Sequence, residues 1–249
     1  MPVSIIFIFG LLIGSFLNVV LHRLQTEQSI IWPASHCPTC KKPINWYDNI
    51  PILSFIVLKA KCRHCHGQIS WQYPLVELAT GIISAWAYCR FGWSGDFFRT
   101  AIFGGFLLII FVYDLRYYLI LDQVIIPAMV TALLINLSLG LGVWGMIIGF
   151  AIGGGFFLAQ FVVSSGRWIG GGDIRLGALM GLMLGWKMVL VALFLAYFSG
   201  AIVGIILILA GKKKMSSQIP FGTFLSIATF LTLLFGQPLL NWYLNLINF

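Results

Sequence analysis

Two stretches of this chain decide what it can fold into. SIIFIFGLLIGSFLNVVL, residues 4–21, and MVLVALFLAYFSGAIVGIILILAG, residues 188–211, carry no charged side chain. Uncharged apolar runs of about 18 residues or more read as helices that cross a bilayer. The rest of the chain agrees, being 60% hydrophobic and 9% charged, where a soluble domain carries about 25% charged residues. Such a sequence cannot cover itself with polar surface. It reads as an all-α polytopic membrane protein with about eight spans, near 4–21, 74–91, 98–114, 123–140, 143–164, 174–186, 188–210 and 219–236. The sixth is short and glycine-rich. The N-terminus lacks the basic start and small-residue cleavage site of a removable signal, so the first run is expected to stay as a span.

Eight spans put both termini on one side, and the loop charges say which. One side receives Arg23, Lys41, Lys42, Lys59, Lys61, Arg63, Arg116, Arg167, Arg175, Lys212, Lys213 and Lys214, and the other only Arg90, Arg99 and Lys187. Positive charge collects on the cytoplasmic side, so the richer side is expected to be cytoplasmic and both termini external. The net charge of +8 then follows from this bias, with anionic lipid headgroups as its partner and no call for nucleic acid.

One segment differs. Between the first and second spans, HCPTCKKPINWYDNIPILSFIVLKAKCRHCHGQISWQYP contains two C-x-x-C pairs, Cys37/Cys40 and Cys62/Cys65. A C-x-x-C turn aims two sulfurs at one point, and two such turns supply the four thiolates of a tetrahedral zinc site. A reducing cytoplasm disfavours disulfides there. The expected role of zinc is structural, because four thiolates leave no position for water. INWYDNIP reads as strand-like, His36, His64 and His66 as residues that support the cysteine ligands or lie at the surface, and Cys89 as a small packing residue in the second span. The domain reading is a first span at 1–21, a cytoplasmic zinc-knuckle insertion at 22–73 and a seven-span catalytic domain at 74–249.

The seven acids are the other informative set. Asp114, Asp122 and Asp173 all fall at the cytoplasmic ends of expected spans. Carboxylates near hydrocarbon face a bundle interior or a wet cavity. Asp114 closes the third span in FVYDLRYYLILDQVIIP, and Asp173 opens the sixth in GGGDIRL. Gly170, Gly171 and Gly172 remove side chains beside Asp173, letting a peptide backbone approach and the helix geometry break locally. Two neighbouring carboxyls sharing a proton make a general acid–base pair that hydrolyses a peptide with water. The same placement equally fits two helix caps paired with Arg116 and Arg175.

Taken in order, GLLIGSFLNVVLHRL, CPTC, INWYDNIPILSF, KCRHC, ISWQYPLVE, YDLRYYLILDQVIIP, GGGDIRLGALMG and IPFGTFLSIA resemble the bacterial type IV prepilin leader peptidases over essentially the whole chain. That family comprises inner-membrane aspartic proteases of the G-x-G-D class. The resemblance implies cleavage of a short basic leader after a glycine, on the cytoplasmic side, from prepilins and pseudopilins. It also implies N-methylation of the new terminus from S-adenosylmethionine. It makes Asp114 and Asp173 the catalytic pair and Cys37, Cys40, Cys62 and Cys65 the zinc ligands. Asp122 matches a non-catalytic acid, expected to cap a helix beside the site. Where many relatives place proline before that acid, this chain has Leu121, which is expected to loosen the loop. No glycine-rich nucleotide loop follows a strand, so a methyl-donor pocket would draw on Asn18, Arg23 and Glu77. Each of these has a structural alternative: an interhelical bond for Asn18, an interface anchor for Arg23, a partner for a nearby base for Glu77. Two other classes compete, an ion-coupled transporter and a zinc-bearing methyltransferase or assembly scaffold without proteolysis. The transporter would want acids at midplane and repeat symmetry.

Overall fold

The structure is a computed structural model that describes residues 2–29, 31–32, 34–214 and 218–247. It divides into two compact units, Met1–Phe97 and Phe98–Phe249. Among the described residues no strand forms, and two isolated bridges, His36 with Pro43 and Lys61 with Gln68, are the extent of β pairing.

In the first unit, α1 (Val3–Thr26) lies along α3 (Gln72–Phe91), with the short α2 (Leu53–Val57) in the segment between. Small residues set their approach. A Cβ placed on Gly10 would lie 2.8 Å from the Gly81 Cα, and one on Gly14 would lie 2.6 Å from the Glu77 Cα. Without side chains at these points the two backbones come close enough for dispersion to hold them, the usual solution where lipid removes the hydrophobic drive. The outward face of α1 is the reverse: Ile8, Phe9, Leu12, Ile13 and Phe16 are exposed, an apolar surface suited to acyl chains.

The second unit holds α4 (Gly95–Tyr117, starting at the end of the first unit), α5 (Asp122–Ser138), α6 (Val143–Ser164), α7 (Gly171–Leu209) and α8 (Phe221–Ile247). Helix α7 is central, touching α5, α6 and α8. Against α6 it meets glycine with glycine: Gly153 faces the Gly177 carbonyl and Gly149 faces the Gly181 carbonyl, so closely that no Cβ fits at any of the four. On α8 the buried Ser226, Thr229 and Thr232 donate to the carbonyls of Gly222, Leu225 and Ala228 at 2.7–2.8 Å, so no hydroxyl in that row is left unsatisfied.

Five helices, α1, α4, α6, α7 and α8, are long and apolar enough to cross a membrane. The protein is an integral membrane protein. The expected second and fourth spans coincide with α3 and the 17-residue α5, and the sixth and seventh follow one another through α7 as two helices that meet at Gly185. There the backbone leaves helix geometry, with φ 74° and ψ 173°, a left-handed value that glycine alone adopts cheaply. The break leaves carbonyls without helical partners, and buried carbonyls need one. Asn136 on α5 supplies it, its amide donating to the Leu182 carbonyl at 2.7 Å. The glycines before Asp173 do not distort the helix as expected. Gly170 is an extended N-cap (φ −79°, ψ 156°) and α7 starts regularly behind it. The backbone departs from helix at Gly185 instead. INWYDNIP is not strand-like either. Trp46–Asn49 forms a 3-10 turn that leads towards α2, as the prolines and polar residues there favour turns over ladders.

Candidate active site and metal centre

Asp114 is buried in the last turn of α4 and takes its partners from the start of α8. Its Oδ2 accepts the Thr223 amide at 2.8 Å, and the Gly222 amide also donates to it. A carboxylate at a helix C-terminus opposes its own helix dipole, but here the N-terminus of a second helix is turned onto it. Asp173 stands in the first turn of α7 and reaches back to accept the Gly170 amide at 3.2 Å, the reciprocal half of a capping box. Each acid therefore rests on main-chain donors at a helix start. The charge of Asp173 acts on Asp114, and Tyr197 of α7 also lies within electrostatic range of Asp173.

The loop between α4 and α5 ties these helix starts together. Tyr118 turns it with φ 56° and donates its amide to the Asp114 carbonyl at 2.9 Å. Asp122 pairs with Arg175, and Arg175 Nε donates to the Gly171 carbonyl at 3.3 Å. Asp122 is thus not the expected cap. The N-cap of α5 is Leu121, without a side-chain bond, and the ion pair claims the carboxylate. Between these anchors the Ile120 side chain reaches both helix starts: a Cβ on Gly172 would lie 3.0 Å from Ile120 Cβ, and one on Gly222 would lie 3.0 Å from Ile120 Cδ1. Nothing lies within 4 Å of a Cβ built on Gly171, and the nearest atom to one on Gly170 is Asp173 Oδ2 at 3.8 Å. The main chain there is open to an incoming strand.

In the first unit the four cysteine sulfurs lie within 4.8 Å of one another, with Cys37 and Cys65 at 3.8 Å. A tetrahedron of thiolates about 2.3 Å from a metal has edges of about 3.8 Å, so the donor set fits a metal ion. The two turns are copies. Cys37 N–H donates to Lys42 O and Lys41 N–H to Cys37 O at 2.9 and 2.8 Å, as Cys62 does to Gly67 and His66 to Cys62 at 2.8 and 3.0 Å. Lys41 and His66, at matching positions, have φ 60° and 56°. Burial disfavours the Cys37 thiolate, yet the Cys40 and Thr39 amides, with the Cys62 and Cys40 thiols, outweigh it and bring the pKa down to about 6. Asp48 grips Arg63 of the second turn with bonds of 2.6–3.2 Å, and that guanidinium holds its carboxyl below the usual range.

Residues 8–91 match the bacterial peptidase A24 N-terminal domain, and residues 101–205 match the type IV leader peptidase family. A prepilin leader peptidase/N-methyltransferase of Bacillus subtilis (strain 168) is 35% identical over 98% of both chains. Proteins of the same name from Aeromonas hydrophila and Pseudomonas aeruginosa are 34% and 30% identical, each covering 97% of this chain and 93% of the relative. This chain belongs to the type IV leader peptidase family. No solved structure matches it.

Within that family frame, the residues expected at a methyl-donor site are all buried in the first unit and bonded to main chain. Asn18 donates to the Tyr73 carbonyl at 2.9 Å, Arg23 to the Ser29 carbonyl at 2.7 Å, and Glu77 accepts the Ile52 amide at 2.8 Å. The last bond pins a strained point, since Ile52 has φ 60° and β-branched residues avoid that region. The interhelical bond expected for Asn18 is the one formed, whereas Glu77 takes an amide rather than a base. Cys89 lies exposed on α3 rather than packed. Reading the sequence missed Ile120, Tyr197 and the amides of Gly222 and Thr223. For the amides a signal was present in IPFGT, a proline and a glycine at a helix start, but main-chain donors have no residue type by which to be recognised.

Proposed function

We propose that the protein is a membrane aspartyl endopeptidase that removes the short basic leader of type IV prepilins and pseudopilins, with Asp114 and Asp173 as its catalytic pair. The observation that carries this reading is that two acids, far apart in sequence, are each held by helix-start amides, with the Ile120 side chain lying against both helix starts. One carboxyl, ionised, takes a proton from a water between them, and the water oxygen attacks the scissile carbonyl. The other, protonated, donates to that carbonyl, and a proton passes to the departing amine as the bond breaks. Preorganised amides keep both groups aimed, so alignment is built in before substrate arrives. The open main chain at Gly170 and Gly171 receives the extended scissile segment, cut after a glycine.

The substrate's apolar helix enters from the bilayer, its basic leader staying in the cytoplasm. This places the enzyme in the bacterial cytoplasmic membrane with both termini external and the four cysteines inside, holding zinc as a structural ion. S-adenosylmethionine is the methyl donor that the relatives' names imply, and the product amine is its acceptor. Asn18, Arg23 and Glu77 are the candidates for its site, each with one polar group bonded to main chain. Incubating purified protein with a prepilin, with and without S-adenosylmethionine, reads out both activities by product mass. Asp114→Asn and Asp173→Asn should each abolish leader removal while leaving thermal unfolding close to wild type. Cleavage retained in either variant removes that acid from the mechanism.

A further inference from the structure

A side chain that lies against both the Asp173 helix start and the Gly222 position beside Asp114 is neither acidic nor polar. Ile120 lies against Gly172 through its Cβ, Cγ1 and Cδ1, at 3.0, 3.5 and 3.4 Å from a Cβ built there. With Cδ1 it reaches Gly222, where a built Cβ would also meet Asp114 Oδ2 at 2.9 Å. Two glycines beside two acids are thus filled by the same aliphatic group. Its loop is fixed on both flanks, by the Tyr118 amide on the Asp114 carbonyl and by the Asp122–Arg175 pair. Ile120 therefore stands as a wall beside the acids before any substrate is present.

The wall has a side. It belongs to the connection between α4 and α5, off the ends of both helices, whereas a substrate's apolar helix lies alongside helices. The leader part of a substrate, which remains outside the hydrocarbon, is the part that runs past this connection. We propose that Ile120 is a specificity-determining residue: its side chain fills the space that the side chain of the leader's last residue would need, so that the site takes glycine there and rejects larger residues. The inference rests on the leader-peptidase reading above and adds to it the residue that sets the cleavage position.

The test compares two prepilins that differ at the last leader residue, glycine or alanine, each cleaved by the purified full-length protein. The quantity read is the ratio of kcat/KM for alanine over glycine, which is independent of any general loss of activity. One methyl group against an aliphatic wall is worth about 10- to 200-fold in such a ratio. Ile120→Ala should raise the ratio at least about tenfold, and Ile120→Val, which lacks only the Cδ1 carbon, should raise it by less. If Ile120→Ala does not fold, judged by its elution and thermal unfolding in detergent, Ile120→Val decides. An unchanged ratio in the folded variants overturns the proposal, even where their absolute rates fall, and leaves the peptidase reading standing. A wild-type protein that cleaves neither substrate sinks the peptidase reading itself.

Discussion

Gly222 offers no side chain at the point where the Asp114 carboxyl and Ile120 converge. A methyl group there would lie 2.9 Å from Asp114 Oδ2 and 3.0 Å from both Asp114 Cγ and Ile120 Cδ1. Neither neighbour can simply swing away, because Asp114 is held by the Thr223 amide at 2.8 Å and the Ile120 loop is pinned at both flanks. The carboxyl has to leave its two amides or the α8 start has to shift. Overpacking of this kind costs roughly 1–3 kcal/mol, and a displacement of about 1 Å at a catalytic group costs about a hundredfold in rate. Gly222→Ala is therefore expected to lower kcat for leader removal by about two orders of magnitude while thermal unfolding falls only modestly. Normal turnover in the purified variant would show that the Asp114 geometry does not depend on this glycine. At this scale the acids and cysteines were legible in the sequence because they are rare in an apolar chain and carry their chemistry in their residue type. The donors and the wall were not, since amides and an isoleucine look like any others until the fold collects them.

The elements that position Asp173 are held by absence of side chains rather than by bonds. Along α6 and α7, Gly149 and Gly153 face Gly181 and Gly177, and a Cβ on any of them would overlap atoms of the opposite helix. Gly155 lies on the same helix with nothing within 4 Å of its Cβ position. Gly153→Ala and Gly181→Ala should push the helices apart and lower stability by about 1–3 kcal/mol or more. Gly155→Ala should be neutral or slightly stabilising, since it adds helix propensity at an open place. Thermal unfolding in one detergent separates the three variants, and equal midpoints would deny the seam its structural role. The periodic apolar pattern made the helices readable one by one, including α1, α4 and α6. The same pattern ended the sixth expected span and began the seventh beside the break at Gly185, where two helices meet. Lys187, expected in the connection between those two spans, lies just past Gly185, its ammonium 5.3 Å from the Trp186 ring. The compensating residue, Asn136, lies on another element, so the local pattern contained no sign of it.

At the scale of the whole molecule, the two compact units, Met1–Phe97 and Phe98–Phe249, have different sources of stability. The second rests on long helices with buried side chains such as Phe103, Phe157, Leu176, Leu179 and Leu225. In the first, residues 34–69 bury little beyond Cys37 and Phe55, and most of their bonds close single turns. Such a segment has no core large enough to offset the chain entropy of ordering it. The four sulfurs are what remains to hold it, and a thiolate-bound ion contributes its binding energy directly to folding. If that ion is zinc, the purified protein should contain about one per chain, and Cys37→Ala or Cys62→Ala should reduce it together with thermal stability. Treating the full-length protein with a strong chelator should then expose Lys41, Lys42, Lys59, Lys61 and Arg63 to trypsin before any site in α4–α8. Fragments mapped by mass would show early cuts confined to residues 41–63, with the second unit surviving intact. Zinc content unchanged in both cysteine variants, or a digestion pattern indifferent to the chelator, would mean that the two knuckles stand without metal and that the Asp48–Arg63 pair and the Glu77–Ile52 bond suffice to hold the segment.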